Sequence, residues 1–162
     1  VVFKLPRDGH IDYIKRVVGL PGDRIQVING QLNINGAAVR QEPMSPVELE
    51  TAFGPPRPVD RYTETLPNGR SYVTYSFGPD GEVDNTGVYV VPEGHYFMMG
   101  DNRDNSVDSR YPTETGVGYV PAENLVGKAE IILFSWDKEA SLLKPWTWLT
   151  EARPSRFGQR LK

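Results

Sequence analysis

Apolar residues recur at alternate positions in short runs broken by Gly, Pro and Asn, a pattern that predicts strands joined by tight turns. Residues 1–5 and 11–18 are predicted as strands, split by the turn-like Pro6-Arg7-Asp8-Gly9. Leu20-Pro21-Gly22-Asp23 makes the next sharp turn. Arg24 to Ile34 reads as a hairpin around Asn29-Gly30, because Asn-Gly accepts positive φ at both central positions of a type I′ turn. A second Asn-Gly follows at Asn35-Gly36. Residues 41–60 carry Pro43, Pro46, Pro55, Pro56 and Pro58. Proline cannot donate to a β ladder, so this stretch is expected to be surface loop, with at most one helical turn around Pro46 to Ala52. Arg61 to Phe77 predicts another hairpin, turning at Pro67-Asn68-Gly69. Gly87 to Met99 holds two strands divided by Pro92-Glu93-Gly94, and Leu125 to Trp136 is a strongly apolar strand.

Composition agrees with this. Sixteen Gly and fourteen Pro, with long runs of helix formers scarce, favour an all-β chain. A length of 162 residues allows one core, or a small core plus a lobe. The net charge is −3 with dispersed basic residues, which argues against nucleic acid as a partner. There is no Cys, so disulfides are excluded, and only His10 and His95 are present, so a His-rich metal site is not expected. No stretch approaches the ~20 apolar residues that span a bilayer. The opening Val1-Val2-Phe3-Lys4 lacks a Met and a leader and reads like the middle of a strand, so the expectation is that a segment was removed upstream.

Two dense polar segments stand out, Asp12 to Asp23 and Gly100 to Arg110, both outside the hairpin-rich middle. The expected organisation is a core built from residues 1–23 and 93–162, with 24–92 inserted as a second β lobe. In the first segment, strand alternation puts Ile11, Tyr13, Lys15 and Val17 on one face. If that face is buried, desolvation lowers the Lys15 pKa and makes it a general base; otherwise its amine snorkels to water from a strand edge. In the second segment, three Asp, two Asn, two Ser and two Arg fall within eleven residues. Such a loop either satisfies itself through Asx turns and Arg–carboxylate pairs or serves a site. It does not fit a calcium loop, because Arg103 stands where an oxygen ligand belongs and Ser106 where the sharp turn wants Gly.

Together these segments resemble bacterial type I signal peptidase. Tyr13-Ile14-Lys15-Arg16-Val17-Val18-Gly19-Leu20-Pro21-Gly22-Asp23 is similar to that family's lysine box. Gly100-Asp101-Asn102-Arg103-Asp104-Asn105-Ser106-Val107-Asp108-Ser109-Arg110 is similar to its last signature box. Val120-Pro121 through Leu125-Val126-Gly127-Lys128-Ala129 matches its closing strand. The resemblance covers residues 1–30 and 88–136 and implies an antiparallel all-β core with an inserted hairpin-rich lobe and a membrane-facing apolar surface. It implies a cofactor-free, metal-free serine endopeptidase of the Ser/Lys-dyad type. Such an enzyme removes signal peptides from exported preproteins after Ala-x-Ala type sites, at the bacterial inner membrane, on its periplasmic or outer face. Its partners would be signal peptides and the membrane surface. Lys15 would be the general base and Ser106 would hydrogen-bond its amine. Arg16, Asp101, Asp108 and Arg110 would form the ion pairs that fix the loop against the lysine strand. Asp12, Tyr13 and Ile14 would lie along the substrate. The family's nucleophilic serine sits on a Ser-Met-x-Pro-Thr type segment upstream of the first strand. Residues 1–162 contain no such segment, so the expectation is a base-bearing part that is inactive alone.

Other readings stand beside this one. A self-cleaving repressor domain uses the same dyad but would lack a long inserted lobe. A transfer-type or pilin-processing peptidase of the same superfamily differs only in substrate. A non-catalytic β module that binds extended peptides would not need Lys15 and the polar loop together. The tail, Pro145-Trp146-Thr147-Trp148-Leu149 followed by Arg153, Arg156, Arg160 and Lys162, either sits in a headgroup layer or finishes the core.

Overall fold

Alternating apolar positions become thirteen short strands in a computed structural model that describes residues 1–49, 55–78 and 80–130. In chain order these are β1 (Val2–Lys4), β2 (Asp12–Ile14), β3 (Arg16–Gly19), β4 (Arg24–Ile28), β5 (Gln31–Ile34), β6 (Ala37–Ala38) and β7 (Arg40–Leu49). They continue with β8 (Arg57–Thr65), β9 (Ser71–Ser76), β10 (Tyr89–Val90), β11 (His95–Met99), β12 (Val120–Pro121) and β13 (Leu125–Gly127). Four sheets result, in strand orders β13-β1-β2, β10-β4-β5-β6, β12-β11-β3 and β7-β8-β9. Every strand pair is antiparallel. The described helical elements are single 3-10 turns at Arg103–Asn105 and Ala122–Asn124. The fold is therefore all-β, and no described helix is long and apolar enough to cross a membrane.

Both Asn-Gly turns have the backbone their sequence demands. Asn29 and Gly30 lie at φ 48° and 75°, and Asn35 and Gly36 at 55° and 80°, which closes the β4–β5 and β5–β6 hairpins. The β8–β9 hairpin forms as its pattern predicts, in register from Asp60↔Ser76 to Thr65↔Ser71.

The Pro-rich stretch differs from expectation. Residues 40–49 are strand, not loop, and no helical turn forms over the described part of Pro46 to Ala52. The reason is position in the sheet: β7 is an end strand among the described residues, where a proline nitrogen can face away from the ladder, and Pro46 falls in the register shift between Met44 and Val47. Pro58 is tolerated because it lies at the very start of β8. Of the apolar stretch 125–136, Leu125–Gly127 is strand, and residues 131–136 and the Trp-rich tail lie outside the described residues.

The strand β11 places the candidate chemistry. Its side chains alternate between two apolar clusters, so both its faces are buried. Phe97 and Met99 join Val18, Ile25, Val27, Leu32 and Val91 on one side. Met98 joins Phe3, Leu5, Val117 and Val120 on the other. Truncating such a side chain typically costs about 3–5 kcal/mol for Phe→Ala, which makes β11 a rigid base for the segment that follows it. Gly100 to Arg110 leaves directly from its end. The chain forms two compact units, Val1–Gly127 and Lys128–Lys162, and all the strands described belong to the first.

Candidate active site

Lys15 stands where the chain changes sheets. Residues 12–14 pair with β1, whereas residues 16–19 pair with β11. One flat strand cannot serve both partners, so the predicted strand 11–18 breaks at Lys15. Its backbone is held there by Val1: the Lys15 amide donates to the Val1 carbonyl at 3.1 Å, and the Val1 amine donates to the Lys15 carbonyl at 2.6 Å. Tyr13 and Val17 pack against the Phe3–Met98 cluster as their alternation predicts. Ile11 does not share that face and is about half exposed. The Asp8 carboxylate accepts from the amides of His10 and Ile11, which folds residues 8–11 into a turn instead of strand.

The Lys15 side chain is half-buried. Burial pushes its pKa below the ordinary 10.5; the Arg110 charge adds to this, while Asp108 and Asp101 oppose it. Its Nζ lies 5.6 Å from the centre of the Tyr13 ring.

The polar loop closes around that amine by satisfying itself. Asp108 takes four hydrogen bonds: from the Arg110 amide (3.1 Å), Nε (2.8 Å) and Nη2 (2.9 Å), and from the Gly100 amide (3.0 Å). Both partners are buried, so this bidentate pair brings no net charge to Lys15. The second pair ties the loop to the lysine strand: Arg16 Nε and Nη2 donate to Asp101 at 2.8 and 2.9 Å. Ser109 is committed to β11, its Oγ accepting from the Met98 amide at 2.9 Å. Asp104 accepts from Phe77 N (2.6 Å) and Ser76 Oγ (3.0 Å), which pins the loop to β9.

Gly100 is what lets the loop approach so closely. A Cβ there would lie 1.9 Å from Ser106 Oγ and 3.6 Å from Lys15 Cδ. Ser106 and Lys15 thus flank the same backbone position. The expected hydrogen bond between Ser106 and the Lys15 amine is not formed: Ser106 Oγ is buried without a partner. At the outer side, β2 is the end strand of its sheet among the described residues. It carries Asp12, which pairs with Lys4 at 2.8 Å, Tyr13, and the exposed Ile14.

Three contributors were not singled out from the sequence. Gly100 is one, and Glu64 and Tyr72 of the β8–β9 hairpin are the others. Arg103 Nη1 and Nη2 donate to Glu64 at 2.9 and 2.6 Å, and the Tyr72 hydroxyl donates to the same carboxylate. Alternation does not place Glu64 inside, since Val59, the other buried residue of β8, is five positions away on the opposite face, and nothing local names a partner 39 residues away. Among the described residues no group of three or more His, Asp or Glu is placed to hold a metal.

A family model described as signal peptidase, peptidase S26, matches residues 1–136. The chain is similar to the signal peptidase I of Rickettsia typhi, 40% identical over 177 residues that take in 99% of this chain and 64% of that protein. It is likewise similar to the signal peptidase I of Rickettsia canadensis, 40% identical, covering 99% of this chain and 63% of that protein. The chain therefore spans just under two thirds of the length of these curated relatives. A crystal structure of a signal peptidase I from Enterococcus faecalis V583 superposes with a TM-score of 0.42 at 26% identity, covering 78% of this chain and 89% of that one.

Proposed function

The chain belongs to the signal peptidase family, peptidase S26, and from that premise we propose that it is the base-bearing part of a serine endopeptidase that removes signal peptides from exported preproteins. The observation that carries this is the half-buried Lys15 amine, pushed below its ordinary pKa mainly by desolvation and facing a loop whose own charges are paired. A lysine amine that burial biases toward its neutral form can accept a proton.

In this reading the attacking hydroxyl comes from a serine outside residues 1–162. Neutral Lys15 takes its proton as the oxygen attacks the scissile carbonyl carbon. The tetrahedral intermediate collapses with cleavage of the C–N bond, and the Lys15 ammonium returns the proton to the departing amine. Lys15 then takes a proton from water as that water attacks the acyl-enzyme, and returns it to the serine as the new carboxyl end leaves. Ser106, whose Oγ has no other partner and lies beside the Gly100 position that Lys15 also flanks, is the group assigned to support the amine during reaction, and Arg16–Asp101 and Asp108–Arg110 hold the loop in place. No metal or cofactor enters these steps.

Substrate binding is assigned to the outer edge of β2. An extended peptide can add there as a strand, with Asp12, Tyr13 and Ile14 beside it and small side chains such as Ala preferred before the cut. The exposed Ile11, Ile14 and Val126 on and beside the β13-β1-β2 sheet support a membrane-facing apolar surface, and the bacterial inner membrane, on its outer face, is the location this reading assigns.

The test is cleavage of a fluorogenic Ala-x-Ala peptide in detergent, comparing residues 1–162 with the same chain extended upstream. Activity confined to the longer form, and lost with Lys15→Ala, is the expected result. Activity in residues 1–162 that disappears with Ser106→Ala or Ser109→Ala would overturn the role given to Ser106. Activity in neither form would favour a peptide-binding module.

A further inference from the structure

We infer that Glu64, on the hairpin outside both polar segments, is a positioning residue that holds the wall of the Lys15 site. Glu64 is fully buried at the base of β8, directly across from Tyr72 on β9. From this one cross-strand pair, contacts run to both sides of the lysine. On the loop side, the Glu64 carboxylate grips the Arg103 guanidinium in a bidentate pair. The Arg103 carbonyl accepts from Arg110 Nη2, Arg110 pairs with Asp108, and Asp108 takes the Gly100 amide. Gly100 is the backbone position that Ser106 and Lys15 flank. On the strand side, the Tyr72 ring lies under the Arg16 guanidinium at 3.8 Å, and Arg16 follows Lys15 in the chain.

A buried ion pair is a weak source of stability, since apolar residues of like volume would fill the space as well. What the pair adds is direction. It fixes Arg103, and with it the carbonyl that Arg110 requires. The charged and titratable groups around Lys15 are the Tyr13 ring from β2, Arg16 beside it, and Asp101, Asp108 and Arg110 from the loop. Glu64 is absent from that set, so its influence must pass through geometry. This inference rests on Lys15 being the base, and its test does not require cleavage to be observed.

The test is competitive acylation of amines in the full-length protein, with Lys15 and Lys128 quantified by mass spectrometry across pH. In Glu64→Gln the loop relaxes, water reaches Lys15, and its protonated fraction rises. The expected result is a roughly tenfold fall in Lys15 labelling at neutral pH, equivalent to its pKa rising by about one, with exposed Lys128 unchanged. The unpaired Arg103 charge alone would act the other way and speed labelling, so the sign separates geometry from electrostatics. Tyr72→Phe keeps the ring under Arg16 and alters no charge; it is expected to give a smaller fall and carries the test if Glu64→Gln does not fold. Unchanged or faster Lys15 labelling in Glu64→Gln folded by circular dichroism overturns the inference, as does unchanged labelling in Tyr72→Phe when Glu64→Gln is unfolded. Peptide cleavage by the unmodified protein, followed in parallel, reports on the proposed function separately.

Discussion

Neutralising Asp108 should cost far more than neutralising Asp101, although both carboxylates grip an arginine through two hydrogen bonds. The Asp108–Arg110 pair has side chains 0% and 1% exposed, and Asp108 also holds the Gly100 amide. Asp108→Asn leaves a guanidinium buried beside a neutral amide, and breaking a buried pair on one side costs about 3–5 kcal/mol. That is a large part of the 5–15 kcal/mol by which domains are typically stable. Arg16–Asp101 is different: its side chains are 23% and 41% exposed, so water rehydrates the survivor and Asp101→Asn should cost only about 1 kcal/mol or less. Replacing both buried partners, as Asp108→Leu with Arg110→Met, should recover part of the loss, because no lone charge remains. Urea unfolding followed by far-UV circular dichroism suits this comparison, since all three Trp lie beyond residue 130. Equal losses for Asp108→Asn and Asp101→Asn, or a double variant worse than Asp108→Asn, would refute the reasoning.

Four further outcomes are expected. Lys15→Ala in the full-length protein should abolish peptide cleavage while leaving the thermal midpoint close to the original; near-normal turnover would remove Lys15 as the base. Ser106→Ala should lower turnover more mildly and leave stability nearly unchanged, because its hydroxyl has no hydrogen bond to lose; unfolding of this variant would contradict the geometry. Gly100→Ala should destabilise by about 1–3 kcal/mol through overpacking, since the new methyl would collide with Ser106; an unperturbed urea midpoint would show that the loop is looser than described. The lowered Lys15 pKa makes the unfolded chain bind more protons between the folded value and 10.5, so stability should rise with pH in that window. Replacing Lys15 by Met should flatten that slope, and an identical slope in both proteins would argue against a depressed lysine.

Much of the local structure follows from single residues. Asn29-Gly30 and Asn35-Gly36 determine their turns because few other pairs accept positive φ twice, and the apolar run Tyr96 to Met99 predicts a strand. The meeting of the two polar segments was equally legible: Lys15, Arg16 and the loop Asp101 to Arg110 are neighbours in space and form the candidate site. What the sequence could not supply were facts that depend on which strand neighbours which. Residues 40–49 form a strand at the end of their sheet among the described residues, a position where proline is tolerated. Lys15 stands where the chain changes sheets, and Ile11 lies in the turn that the Asp8 carboxylate folds, so a face drawn by uninterrupted alternation wrongly included Ile11. Glu64 reads locally as one more charged residue in a hairpin, and its burial against Arg103 and Tyr72 is decided by contacts between segments far apart in the chain. Short-range sterics and periodicity are written residue by residue; burial of a charge, and the partner that makes it tolerable, exist only once the sheets have assembled.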